Sequence, residues 1–227
     1  MNIKKIIFLV LITTIAISCA VPSTSTKFEA YPDMYGDNPP LSIVVVPAIN
    51  KTTSAEASEF FNATINSPLS DVGYYPFPVE IVRDIFLKEG VIDSAMIKGL
   101  PTRSFKNNFG ADAVMFVTIN QWDRNYIVIG GNVTVGMDYV LLSTETSEVL
   151  WSYSATQIIN TGTDSGNFFI DLIATAIKTA VTDYVPIAQQ ANYQAFLALP
   201  HGKYSKLHKL DQEVQIFNAL KDKALDD

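Results

Sequence analysis

Val133-Thr134-Val135-Gly136-Met137-Asp138-Tyr139-Val140-Leu141 places its large apolar side chains at every odd position, with Thr134, Gly136 and Asp138 between them. A period of two is the mark of a strand with one dry and one wetter face. Two further runs precede it: A-V-M-F-V-T-I-N-Q-W (113–122) and N-Y-I-V-I (125–129) read as strands. Gly130-Gly131, between Ile129 and Asn132, supplies the residues a tight hairpin turn needs. On the other side Thr144–Ser147 turns the chain into V-L-W-S-Y-S-A-T-Q-I-I (149–159), another strand. The region therefore predicts an antiparallel meander of three or four strands.

Outward from the meander, strands alternate with helical periods. Leu41–Pro47 (L-S-I-V-V-V-P) is a short buried strand closed by a proline. Thr53-Ser54-Ala55-Glu56 has the form of a capping box, and Ala57, Phe60, Phe61, Thr64 and Ile65 follow at helical spacing on one face. Gly73–Phe77 reads as a second strand. Pro78 can open a helix running to about Glu89, with Val79, Val82, Ile85 and Phe86 inward. Pro101–Phe109 is a shorter helix that Gly110 can terminate. After the meander, Phe169, Leu172, Ile173, Ala176, Ile177, Ala180, Val181 and Tyr184 mark an amphipathic helix. Asp171, Lys178 and Asp183 interrupt it, against a membrane span. Pro186 ends or kinks it, a further helix extends to Leu199, and residues 200–227 read as a polar tail. The fold class expected is α/β of the α+β type: a mixed sheet with an antiparallel meander flanked by helices. The α/β domain would occupy 41–185, with the C-terminal helix and polar tail at 186–227.

The amino terminus sets the expected compartment. Lys4 and Lys5 precede Ile6–Ile17, a run of twelve residues without a charge. As a helix it would extend roughly 18 Å, short of a bilayer core of about 30 Å, so a signal peptide is preferred to a permanent span. Ala16-Ile17-Ser18-Cys19 follows and contains the single cysteine of the chain. It resembles the bacterial lipobox, with Ala16 standing where leucine is usual. The resemblance implies cleavage between Ser18 and Cys19 and acylation of Cys19 by two or three chains of the palmitate type. More than one chain is what stable anchoring requires. By similarity to enterobacterial sorting rules, Ala20 after the cysteine favours the outer membrane, with the domain facing the periplasm. Residues 1–18 are thus expected to be a signal peptide and 19–40 a lipidated tether. The tether contains Pro22, Pro32, Pro39, Pro40 and a Ser-Thr-Ser-Thr run, although Tyr31, Met34 and Tyr35 are candidates for packing on the domain.

Composition narrows the function. The chain has 227 residues, 48% of them apolar, enough for one sizeable core and too apolar for disorder. A single cysteine excludes an intramolecular disulfide and a multi-thiolate zinc site. The net charge of −7 argues against nucleic acid as a partner, since counterion release from phosphate needs clustered Lys and Arg. Removal of residues 1–18 takes Lys4 and Lys5 away and moves the charge to −9, so membrane attachment would rest on acyl insertion without a basic patch.

A search for chemistry finds no Gly-x-Ser-x-Gly elbow, no His-Glu-x-x-His and no phosphate-binding loop of the Walker type. Gly162–Asn167 lacks the lysine and glycine spacing of a nucleotide site and reads as a connector. His201 and His208, the only histidines, stand beside Lys203, Lys206 and Lys209, which disfavours a cation; no metal site and no cofactor are expected. Glu56, Glu59, Glu80, Asp84, Asp112, Asp123, Asp138, Glu145 and Glu148 are scattered as caps and solvated faces. Trp122 and Trp151 lie on strands and read as core or interface anchors.

The order of elements resembles a known family. The strand ending Val-Val-Pro, the Gly-Tyr-Tyr-Pro-Phe-Pro step (73–78), Gly110-Ala111-Asp112-Ala113 before a strand, and the Thr146–Ser152 hairpin carry the likeness. Together they resemble a family of bacterial lipoproteins of unknown function, whose domain is similar to the amino-terminal domain of TolB and the periplasmic domain of CsgG. The resemblance spans roughly 41–200 and brings no catalytic residue with it. It implies an envelope assembly role beside a CsgG-like lipoprotein, or self-association. The expected function is therefore a non-catalytic envelope lipoprotein acting by protein–protein association, with membrane contact through acylated Cys19. A periplasmic small-ligand-binding module is the alternative, and a carboxylate-based hydrolase a more distant one.

Overall fold

The computed structural model describes residues 24–91, 94–126, 131–160 and 184–217. Its centre is a mixed sheet of six strands: β2 (Ser42–Val45), β3 (Ile49–Asn50), β4 (Tyr75–Phe77), β5 (Ala113–Tyr126), β6 (Gly131–Ser143) and β7 (Val149–Asn160). Neighbours run in the order β4-β2-β5-β6-β7, with β3 also beside β5. β2 is parallel to both β4 and β5, whereas β5-β6-β7 is antiparallel, so the expected mixed sheet and meander are present. β2 and β3 are two pieces of one line along β5, pairing Ile43 with Ala113 and Ile49 with Thr118. Pro47 lies between the pieces. It has no N–H to offer the ladder, which breaks there and resumes beyond it.

Helices cover both faces. On one, the helices Ala57–Thr64 and Val185–Phe196 pack over the odd-numbered side chains of the meander, burying Val135, Met137, Tyr139, Leu141, Trp151 and Ile159. On the other, Val79–Lys88, Ser94–Lys98 and Thr102–Phe109 cover Val44, Val46, Val114 and Phe116. Val82 and Phe86 point inward as expected, but Ile85 is exposed, because the buried stripe of that helix runs along Val79, Val82 and Phe86. Gly110 ends the Thr102–Phe109 helix at φ +70°, a left-handed cap that costs glycine nothing.

Three local expectations change. The segment 113–129, expected as two strands, is one continuous strand to Tyr126; a bulge between Ile119 and Gln121 absorbs the irregularity. The capping box at Thr53–Glu56 does not form. Asn50 accepts from the Thr52 N–H at 2.9 Å and donates to Ser54 O, so these polar side chains close the turn after β3 instead. The third change concerns the ends of the chain. Where an extended tether was expected over 19–40, the chain from Thr24 onward folds against the body. β1 (Thr24–Thr26) pairs antiparallel with β8 (Gln215–Phe217), drawn from the expected polar tail. The helix Lys27–Ala30 follows with a capping box of its own, Thr26 with Glu29. Met34 and Tyr35 are buried in the main core. The amphipathic helix expected over 169–184, the connector at 162–167 and the glycine turn at 130 lie outside the described residues.

Candidate functional site

The two ends of the described chain meet in a polar knot. Lys27 and Asp211 are only 2% and 5% exposed, and their side chains meet at 3.0 Å. The Lys27 ammonium also donates to Leu199 O at 2.8 Å. Asp211 accepts from Tyr35 Oη at 3.1 Å and from the His201 N–H at 3.0 Å. Burial works against the Asp211 charge, but the Lys27 ammonium and the two further donors outweigh it, and the carboxyl titrates below its ordinary range. Burial, and then the charge of Lys27, hold His201 below the usual imidazole range despite Asp211 nearby. Tyr74 donates to Pro200 O at 2.7 Å, and Gly202 N–H to Val72 O at 2.8 Å. The backbones of Gly73 and Gly202 pass so close that a Cβ on Gly202 would stand 2.3 Å from Gly73 O. Residues expected as a solvated tail are thus sewn to the body and to the segment next to the expected anchor.

A cleft of about 360 Å³ opens nearby, between Pro39–Leu41 and the turn after β6. Six charged residues line it: Asp33, Asp37, Lys106, Asp112, Glu145 and Lys203. Ligand pockets are mostly apolar with a few polar groups, and this cleft is not of that kind. Asp112 is already engaged, accepting from Lys106 Nζ at 3.0 Å, from Ser42 Oγ at 2.9 Å and from the Leu41 and Ser42 N–H groups. Against the opposing effect of burial, these donors lower its pKa. Both Asp112 and Asp211 are therefore held ionised, whereas a hydrolytic pair needs one carboxylic acid with a raised pKa.

The third feature is the distal part of the sheet, beyond the Thr102–Phe109 helix. There Asp138 accepts from Asn120 Nδ2 and Ser154 Oγ across three adjacent strands. Thr156 and Ile158 stand exposed beside them on β7, Ile158 at 66%.

Of the residues singled out in the sequence, Ser18 and Cys19 lie outside the described residues. His201 and His208 come together without forming a metal site. His201 Nδ1 meets Ser205 Oγ at 3.0 Å and His208 Nδ1 donates to His201 O at 2.8 Å. No three His, Cys, Asp or Glu side chains among the described residues are placed to hold a metal ion. Trp122 and Trp151 are core residues, Trp122 edge-on to Phe61 and Trp151 against Phe196. Lys27 and Asp211 are the pair sequence reasoning missed. They lie 184 positions apart, and the only local hint was the aromatic content of a supposed tether.

A mixed sheet layered by helices, with no helix among the described residues long and apolar enough to cross a membrane, defines a small α+β domain. The same fold is seen in the crystal structure of lipoprotein GNA1162 from Neisseria meningitidis. That protein is 27% identical, with a TM-score of 0.51 over 63% of this chain and 98% of its own. Over residues 31–200 the chain matches the family described as "Putative lipoprotein GNA1162-like", and it belongs to that family. A relative named "Putative lipoprotein NMB1124/NMB1162", from N. meningitidis serogroup B, is 27% identical over 154 residues, covering 66% of this chain and 71% of that one. A PelC dodecamer from Paraburkholderia phytofirmans is more distant, at 15% identity and a TM-score of 0.43, covering 70% of this chain and 88% of its own. The lipoprotein family expected from the residue motifs, one of unknown function, is the one found.

Proposed function

We propose that the protein is a non-catalytic accessory lipoprotein of the bacterial envelope, acting by protein–protein association. In this reading it is anchored through acylated Cys19 to the outer membrane and faces the periplasm. The observation that supports it best is the sewn junction of the chain ends. Only five peptide links separate Cys19 from Thr24, and they span at most about 17–18 Å. A tether through residue 40 would reach far further. The short leash keeps the folded body next to the lipid surface, where it can meet other envelope proteins. The engaged carboxylates Asp112 and Asp211 and the charged lining of the cleft favour association over hydrolysis or the capture of a small apolar ligand.

The test is detergent extraction of the native protein from envelope fractions, with mass spectrometry of the amino-terminal peptide and of co-purifying proteins. An acylated Cys19 and a stoichiometric partner, or a self-associated species, are expected. Cys19→Ser should leave the membrane fraction. An unmodified Cys19 in the mature protein would refute the anchor, and turnover of a periplasmic substrate dependent on Asp112 would refute the non-catalytic reading.

A further inference from the structure

The large apolar side chains left in water are not spread evenly. Of the twelve exposed among the described residues, five stand together: Phe28, Tyr204, Leu207, Leu210 and Val214, with Leu210 75% exposed. Four of them belong to one loop, 203–214. Phe28 joins them because its N–H donates to Gln212 O at 3.1 Å, while the Lys27 N–H donates to Val214 O at 2.9 Å. The same loop carries Lys203, Lys206 and Lys209, all exposed, and each is followed directly by one of the exposed apolar residues. Of its two acids, Asp211 is cancelled by Lys27, which leaves Glu213. Glu29, Asp33 and Asp37 are the acids of the segment beside it. Three lysines against one uncompensated acid make the loop a basic spot on a chain of net charge −7.

The loop is held firmly to the body. Tyr204 N–H donates to Gly73 O at 3.1 Å, Lys209 Nζ donates to Gly36 O at 3.3 Å, and the buried Asp211 fastens the loop to Lys27. Its place relative to the expected anchor follows from the pairing of the chain ends. β1 lies against β8, so Val214 is one three-residue strand, about 10 Å, from Thr24. The five links from Thr24 to Cys19 add at most about 17–18 Å. An acidic body on so short a leash lowers its electrostatic energy by turning its basic side to an anionic surface.

We propose that the loop 203–214, together with Phe28, rests on a phospholipid surface bearing anionic headgroups and attaches the body there beside the acyl chains. Tyr204, Leu207 and Leu210 enter the headgroup boundary, and the lysine stems lie along it with their ammonium groups at the phosphates. Two observations select a lipid surface as the occupant. The leash brings that surface within reach of this loop, and the alternation of lysine with apolar residues suits a boundary that is anionic above and apolar below. A second copy would set the same three lysines against its own and be repelled. The inference rests on the anchored-lipoprotein reading and adds to it which side of the body faces the lipid.

The test places the mature acylated protein on vesicles of phosphatidylethanolamine and phosphatidylglycerol, part of the lipid being brominated. Cys19 is the only cysteine, so once it is acylated Leu210→Cys or Ile158→Cys carries a single fluorescent label. Ile158 serves as the control, about 20 Å along β7 from Ser152, whose carbonyl accepts from Tyr31. Brominated lipid should quench the label at 210 and leave the label at 158 bright. Lys206→Gln with Lys209→Gln should lower the docked-to-free ratio about 25-fold, at about fivefold per lysine. Leu207→Ser should lower it about tenfold. All three side chains are exposed, so these variants should melt as the parent does, which separates lost docking from unfolding. Three results overturn the proposal: a label at 210 quenched no more than that at 158, quenching unchanged by the lysine pair, or quenching equally strong on phosphatidylcholine alone. The mass of the amino-terminal peptide from the same sample distinguishes the two readings. An unmodified Cys19 refutes the anchor and this inference with it, whereas an acylated Cys19 with an unquenched label at 210 sinks this inference alone.

Discussion

Asp211→Ala removes one half of a buried ion pair. In the intact protein the Asp211 carboxylate accepts from Lys27 Nζ, Tyr35 Oη and the His201 N–H. Without it, a lysine 2% exposed keeps only Leu199 O among the described residues, and two further donors lose their acceptor. Breaking a buried pair from one side costs about 3–5 kcal/mol, because the remaining charge stays desolvated. In a domain of this size each kcal/mol moves Tm by about 2–4 °C, so thermal unfolding of the full chain should begin about 6–20 °C lower. Adding Lys27→Met to the variant removes the orphaned charge and should recover part of that loss; the unpaired Tyr35 and His201 donors keep the recovery incomplete. Limited proteolysis should show early cuts between Thr24 and Tyr35 in the single variant, since β1 and the Lys27–Ala30 helix are held through this pair. The native carboxyl titrates below its ordinary range, so its contribution is complete above about pH 4 and is lost as the pH falls through the lower folded value. A fall in Tm of less than 2 °C for Asp211→Ala, or equal melting of single and double variants, would refute the argument that a desolvated charge is the source of the loss.

Three further outcomes follow from neighbouring contacts. His201 has a lowered pKa and is therefore neutral in the fold, so stability should decline as the pH falls below the usual imidazole value of about 6.5; His201→Asn should flatten that slope in pH-dependent thermal melts. Gly202→Ala brings a Cβ within 2.3 Å of the backbone oxygen of Gly73 and should cost about 1–3 kcal/mol or more, read as a lower midpoint in urea. Tyr139→Phe deletes the donor to Asn192 Oδ1 inside the core, where Asn192 is wholly buried and also donates to Thr64 Oγ1. The loss should be about 1–3 kcal/mol, and Asn192→Ala added to the Tyr139→Phe variant should cost less than it does alone.

Much of the architecture was legible from periodicity alone. The odd-numbered apolar residues of 133–141 could be dry only if the strand had a covered face, and helices at 57–64 and 185–196 cover it. Pro78 and Gly110 punctuated their helices where local backbone rules place them. The lipobox-like run ending at Cys19 is a local signal of another kind, read as a short unfolded stretch; it lies outside the described residues and stands as an expectation.

What could not be read was everything that depends on which distant segments meet. Lys27 and Asp211 sit in stretches rich in turn formers and charges, which in isolation look like a linker and a tail. Each is tolerable inside the protein only because the other is there, and no local window contains both. The joining of 113–126 into one strand was hidden for the same reason, since a bulge at Asn120 depends on the partner strand. Which backbone groups of β7 bond to β6 also required the register of the two strands, Tyr139 against Tyr153 and Met137 against Ala155. Side-chain alternation belongs to the sequence, but which backbone groups remain unpaired is a property of the assembled sheet.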